Sequence, residues 1–198
     1  MDSKTIDTYN KLAKEYDDDT VAFWDAFPRT FLDQFIHHVN GKVLNIGSGP
    51  GRDGLLLKNA GLDITCLDAS QSMIDLSVSR GLDSMLGDFL DLPFQDGSFD
   101  SVWAYTSLLH CSKKDFKKAV AEVKRVLPDG GFFGLGLIEG DEEIYKENMG
   151  EGNFRLFSFL KKEEVESLVE QEGFALVYFE TFKPGSRYYL HFIFKKAS

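Results

Sequence analysis

A short apolar run that ends in glycines limits the choice of fold more than any other part of the chain. Lys42-Val-Leu-Asn-Ile46 leads directly into Gly47-Ser-Gly-Pro-Gly-Arg-Asp-Gly54. Glycines placed straight after a strand let a ligand approach the backbone closely. The helix that follows offers free N–H groups and the positive end of its dipole. Doubly wound sheets of parallel strands use this arrangement, with ligands bound beyond the carboxyl ends of the strands near the switch in strand order. Alone, the loop is ambiguous. Gly49-x-Gly51-x-x-Gly54 matches the dinucleotide fingerprint, and a tight structural turn also uses glycine.

The rest of the chain alternates between two periods. Residues 5–17 read as an amphipathic helix with Tyr9, Leu12, Ala13 and Tyr16 on one stripe, and residues 29–39 as a second. After the first strand come a helix over 52–60, a strand over 62–67, a helix capped by Ser70 and weak and stronger strands over 82–86 and 99–104. A helix over 113–127 presents Phe116, Ala119, Val120, Val123, Val126 and Leu127 on one face. The run Phe132–Ile138 is almost continuously apolar, which suits a strand buried on both faces. Residues 140–157 read as polar and irregular. A helix over 161–172 and two strands joined at Lys183-Pro-Gly-Ser186 complete the chain. The pattern predicts one α/β domain over 1–198, a doubly wound, mostly parallel sheet with helices on both faces. Residues 1–40 form a helical lid and 140–160 an insertion or second lid.

Composition narrows the function. The chain has 22 Lys plus Arg against 32 Asp plus Glu, a net −10, and no basic patch stands out, so no nucleic-acid partner is expected. No apolar run approaches the roughly 18 residues of a membrane span. The polar start does not read as a signal peptide, and the two cysteines suit free thiols in a reducing cytoplasm. Neither Cys66 nor Cys111 has metal-ligand spacing, so no metal is expected.

Two carboxylates follow later strands. Asp68 ends the second strand, 19 residues after Gly49, where it can accept both hydroxyls of an adenosine ribose or cap the next helix. In Gly87-Asp88-Phe89, Asp88 can accept from an adenine amino group while Phe89 packs on the ring, or the pair can be a loop Asp and a core Phe.

The combination of motifs resembles the class I S-adenosylmethionine-dependent methyltransferases. It comprises Val43-Leu-Asn-Ile-Gly-Ser-Gly-Pro-Gly51, Leu67-Asp-Ala-Ser70, Gly87-Asp-Phe89, Leu92-Pro-Phe94, Ser98-Phe-Asp100 and Val123-Lys-Arg-Val-Leu-Pro-Asp-Gly-Gly131, in family order. Tyr9-Asn-Lys-Leu-Ala-Lys-Glu-Tyr-Asp17 is similar to the leader of the small-molecule branch. The resemblance implies a seven-stranded sheet of order 3-2-1-4-5-7-6 with the last strand antiparallel, and S-adenosylmethionine as cofactor. Carried over by motif, Gly47, Ser48, Gly49 and Gly51 face the methionine part of the cofactor. Asp68 holds the ribose, Ala69 and Met73 lie beside the adenine, Asp88 and Phe89 bind its edge and face, and Ala104 and Leu108 flank the sulfonium. Tyr16 packs on the cofactor from the lid. Asn45 stands where the family usually has Asp or Glu.

A methyl acceptor with an acidic proton needs a base, and His110 is the candidate, because an unperturbed imidazole suits base work near neutrality. A histidine there also often braces the loop. Trp24, Tyr105 and Arg155 are candidate substrate contacts, and Arg187 is a second cation for an anionic group. The expected partner is a small-molecule methyl acceptor. An NAD(P)-binding oxidoreductase and a non-catalytic cofactor-binding protein remain open alternatives.

Overall fold

The computed structural model describes residues 1–198. Helix α1 (Ser3–Thr20) starts at Asp2, whose carboxylate accepts from Thr5 N at 2.8 Å. It is kinked at Leu12, where φ −116° and ψ 21° leave the helical region. Helices α2 (Phe23–Ala26) and α3 (Thr30–His38) follow, then β1 (Lys42–Ile46), α4 (Arg52–Asn59) and β2 (Asp63–Asp68). Helix α5 (Gln71–Ser79) is capped by Ser70 Oγ, which accepts from Met73 N. Strand β3 (Asp83–Leu86), β4 (Ser101–Tyr105) and a single 3-10 turn over Leu108–His110 precede α6 (Lys113–Val126) and β5 (Phe132–Ile138). The chain closes with β6 (Glu143–Lys146), β7 (Arg155–Ser158), α7 (Lys162–Gln171), β8 (Phe174–Phe182) and β9 (Tyr189–Lys196).

The main sheet has seven strands in the order β3-β2-β1-β4-β5-β9-β8. Strands β1 to β5 pair in parallel, while β9 runs antiparallel to both β5 and β8. Residues 140–157, expected to be irregular, contain β6 and β7, which pair as a separate antiparallel ribbon. Counting them shifts the numbers of the last two sheet strands from seven and six to nine and eight. The ribbon was hidden because its exposed edge carries Glu143 and Lys146, not an alternating apolar pattern.

Alternation along each strand feeds two cores. Leu44, Ile46, Val102, Phe133 and Leu135 face α6 and α7. Val43, Trp103, Tyr105 and Ile193 face α3 and α4, against Phe31, Phe35 and Leu57. On that second face the middle of β5 carries no side chain, because Gly134 and Gly136 stand between Phe132 and Ile138. A Cβ on Gly134 would lie 2.7 Å from Trp103 Cε3 and 2.8 Å from Phe35 Cδ2. The rings of Trp103 and Phe31 stack at 4.7 Å, and those of Trp103 and Tyr105 are nearly parallel, 8° apart. Bare backbone therefore serves as the floor of an aromatic layer.

Helix α1 lies across the carboxyl ends of the strands and is held at several points. Asp17 receives two hydrogen bonds from Arg80, at 2.8 and 2.7 Å. Ser70 donates to Asn10 Oδ1 at 2.8 Å, and Ser72 to Asn10 O at 2.9 Å. Thr8 donates to the carbonyl of Phe154, and Leu156 N donates to Thr5 Oγ1.

Gly134→Ala tests the packing argument. The added methyl meets two ring edges that are themselves packed, so the variant should lose about 1–3 kcal/mol. Urea unfolding with an unchanged slope should show the loss; wild-type stability would mean the aromatic layer can shift at no cost.

Candidate active site

A cleft with an empty volume of about 820 Å³ opens at the carboxyl ends of β1, β2 and β4, beneath α1 and α2. One wall is the turn after β1. Gly47 has φ +61°, and a Cβ there would stand 2.2 Å from Ser107 Cβ. Gly49 has φ +54° and open space where a Cβ would project. Both positions need the left-handed region that glycine enters without strain.

Asp68 braces this turn from β2. One of its oxygens accepts from Gly49 N at 2.8 Å and the other from Ser70 N at 2.9 Å. Burial pushes its carboxyl above the usual carboxylate range, and the backbone N–H groups of Ser70, Gly49 and Ala69 oppose that rise. Ala69, Met73 and Phe89 line the cleft near it. Ser48 Oγ and Ser107 Oγ are buried without a partner among the described residues.

The opposite end is aromatic. Tyr9 and Tyr16 come from α1, Phe23 from α2 and Tyr105 from β4. Asp53, at the start of α4, accepts from the indole N–H groups of Trp24 at 2.6 Å and Trp103 at 2.8 Å. One carboxylate thereby joins α2 to the sheet. Arg52 lies over the rings of Tyr16 and Phe23, at 5.4 and 5.9 Å, and donates to the carbonyl of Thr20.

His110 also lines the cleft, and both its nitrogens are engaged. Nδ1 lies 2.6 Å from the carbonyl of Leu156, which can only accept, so Nδ1 carries the proton. Nε2, 2.8 Å from Tyr9 Oη, therefore accepts from that hydroxyl. Arg155 donates to the same hydroxyl at 2.8 Å. Burial, helped by the positive charge of Arg155, lowers the imidazole pKa to about 4. In this setting the ring is held between the Leu156 carbonyl and Tyr9, and the lowered pKa runs against the base role the sequence suggested.

The cleft brings together Tyr16, Gly47, Ser48, Gly49, Asp68, Ala69, Met73, Phe89, Tyr105 and His110, as the sequence led us to expect. Other expected residues lie outside its wall. Ala104 and Leu108 are fully buried in the core on the α6 side, because alternation turns Ala104 away from the face that Tyr105 presents. Gly51 packs behind the turn, where a Cβ would meet Ser77 and Leu82 at 2.5 Å. Asp88 is paired with the Met1 amino group. Trp24 is buried against Asp53, and Arg155 stands behind Tyr9. Arg187 pairs with Glu142 away from the cleft. Sequence reasoning did not single out Arg52, Asp53, Phe23, Thr106 or Ser107. For Thr106, with its left-handed φ of +51°, no sequence signal existed.

Residues 44–135 match a family profile described as a methyltransferase domain. The matched segment runs from β1 to β5, and the fold around it is the seven-stranded one of the class I S-adenosylmethionine-dependent methyltransferases. The chain is 29% identical over 178 residues to an uncharacterized protein of Methanocaldococcus jannaschii, covering 85% of this chain and 82% of that one. The fold is that of the DhpI–S-adenosylhomocysteine complex, with a TM-score of 0.81 at 22% identity over 98% of this chain and 96% of the other. It is also that of the Burkholderia thailandensis 1,6-didemethyltoxoflavin-N1-methyltransferase with bound 1,6-didemethyltoxoflavin and S-adenosylhomocysteine, with a TM-score of 0.75 at 19% identity over 98% and 88% of the two chains. Among the described residues no helix is long and apolar enough to cross a membrane.

The state of His110 has a measurable consequence. Its folded pKa of about 4 lies below the unfolded value near 6.5, so the unfolded chain binds more protons between them. The buried neutral form is fully favoured above about pH 6.5, and stability falls as pH drops toward 4, by about 3 kcal/mol from this group. Urea unfolding from pH 7 to 4 should show a shallower acid loss in His110→Gln; equal losses would mean that His110 takes up a proton without disrupting the fold.

Proposed function

We propose that this methyltransferase moves the methyl group of S-adenosylmethionine to a small-molecule acceptor held between the end of β4 and the helices above it. The observation that carries the reading is the Asp68 carboxylate, hydrogen-bonded to Gly49 of the turn, where open space stands in place of a side chain. That donor set fits the cofactor. Asp68 keeps lone pairs for the two ribose hydroxyls, Gly47, Ser48 and Gly49 offer backbone to the methionine part, and Ala69, Met73 and Phe89 offer an apolar slot for the adenine. The unpartnered Ser48 and Ser107 hydroxyls are further donors, and Tyr16 covers the site from α1. The small-molecule reading is supported by the roof that α1 and α2 form over the cleft, and by the acidic net charge, which disfavours nucleic acid.

When bound, the cofactor supplies a methyl group already activated on a sulfonium. The residues here are left with alignment and exclusion of water. Tyr9, Tyr16 and Phe23 close the cleft over the reacting centre, and Asp53 fixes α2 through Trp24. Residues 1–40 act as a lid in this reading, with the kink at Leu12 as its flexing point; the β6–β7 ribbon props its first turns.

S-adenosylhomocysteine should bind and raise the melting temperature, since a ligand selective for the native state stabilises it by mass action. Asp68→Ala should weaken that binding by about 2 kcal/mol or more, through lost charge-assisted hydrogen bonds. Calorimetry on the folded variant checks this, and undiminished affinity would remove Asp68 from the site. Hydrogen exchange over residues 5–24 should slow when S-adenosylhomocysteine is added; equal protection with and without it would make α1 a fixed wall.

A further inference from the structure

Four residues lie in one row across the sheet. Tyr105 on β4 pairs with Gly136 on β5, Gly136 with His191 on β9, and His191 with Glu180 on β8. Gly136 leaves the second place in that row empty, and a Cβ there would stand 2.4 Å from Tyr105 Cδ2. The tyrosine ring lies across the gap and its hydroxyl reaches His191 Nε2 at 3.1 Å. His191 Nδ1 is 3.0 Å from Glu180 Oε1, and Tyr178 donates to Glu180 Oε2 at 2.7 Å. A carboxylate only accepts, so Nδ1 carries the proton and Nε2 accepts from Tyr105. The result is a hydrogen-bonded line from the cleft wall to a carboxylate that is 23% exposed.

We propose that this line is the proton outlet of the methyl-transfer site, and that the acceptor is a planar, weakly acidic molecule lying against Tyr105. This rests on the reading of the cleft given above. As the acceptor atom's electron pair forms its bond to the methyl carbon, the carbon–sulfur pair returns to sulfur and the acceptor gives its proton to Tyr105 Oη. The tyrosine's own proton passes to His191 Nε2. The imidazolium so formed faces Glu180, from which the proton can leave to solvent.

The surroundings favour this end of the cleft over His110. His110 has a guanidinium beside its partner tyrosine, which opposes a second positive charge. His191 is buried too, and burial lowers its pKa, but Glu180 pulls in the other direction. Its remaining neighbours are uncharged: Phe31 of α3 stacks on it at 4.6 Å, and Tyr189 lies 6.4 Å away. Asp53 of α4 is the other acid near Tyr105, and its carboxylate is taken by two indoles. Directly after Tyr105, Thr106 holds a strained left-handed backbone and Ser107 leaves its hydroxyl unpartnered. The planar shape follows from the walls, where Tyr16 and Phe23 join Tyr105.

The test titrates S-adenosylhomocysteine-loaded protein with 4-nitrophenol, whose phenolate absorbs visibly. At a pH where the free phenol is mostly protonated, it should bind as phenolate, and the 15N signal of His191 Nε2 should become that of a protonated nitrogen. Tyr105→Phe, which keeps the ring, should bind it as the neutral phenol without the His191 change. Glu180→Gln should lower the ratio of bound phenolate to bound phenol by about tenfold or more, one pKa unit of lost ion pairing. Binding without ionisation, ionisation that survives Tyr105→Phe, a free-state His191 protonated on Nε2, or no nitrophenol binding would each overturn the proposal. Failure of S-adenosylhomocysteine itself to bind would instead overturn the reading of the cleft beneath it.

Discussion

Two missing side chains in the middle of β5 set the geometry of the acceptor side. Gly134 and Gly136 are destabilising choices for a strand by propensity alone. In exchange the rings of Trp103 and Tyr105 lie flat across the backbone, and α3 and α4 pack onto them through Phe31, Phe35 and Asp53. Filling either gap would push a ring outward. At Gly134 that displaces Trp103 and with it one of the two indoles on Asp53. At Gly136 it breaks the reach of Tyr105 to His191. The aromatic layer, the fixing of α2 and the row of polar groups all depend on the same bare backbone.

Three carboxylates show how environment divides similar groups between tasks. Asp53 is buried and wholly occupied by two indole donors, which makes it a structural clip. Asp68 is tied to the glycine turn by two backbone N–H groups and still borders open space. Glu180 sits at the rim of the sheet with a histidine on one oxygen and a tyrosine on the other. All three satisfy the requirement that buried charge be hydrogen-bonded. They differ in what borders them: two indoles at Asp53, the cleft at Asp68 and solvent at Glu180.

Local signals were the legible ones. Val43–Ile46 followed by glycines, Ser70 before α5 and the stripe from Phe116 to Val126 are written in neighbouring residues, and they place β1, α4, α5 and α6 correctly. Asp68 and Phe89 follow strands directly, so their arrival at the cleft was also readable. Strand ends are less forgiving. Ala104 and Tyr105 are neighbours in the chain, and the pleat sends one to the core and the other to the cleft. Long-range pairings left no local trace. The spacing of Asp53 from Trp24 and Trp103 carries no pattern, and neither does that of Tyr105 from His191, 86 residues on. Gly134-Leu-Gly136 was the available clue, since alternating glycines in an otherwise apolar strand mean that something large lies on that face.

The two cleft-side histidines show why residue type and position do not fix a role. Each is buried, each has Nδ1 as the protonated nitrogen, and each accepts a tyrosine hydroxyl at Nε2. What differs is the next group along. Behind His110 stands a backbone carbonyl, and a guanidinium holds the shared tyrosine. Behind His191 stands a carboxylate. A neutral carbonyl orients an imidazole but does little to stabilise its charged form, and a nearby cation destabilises that form. A carboxylate both orients the ring and stabilises the imidazolium. The sequence offered His110 because it follows β4 in the chain. Sheet register, which sets β9 two strands away with glycine between, puts the carboxylate behind His191 and not behind His110.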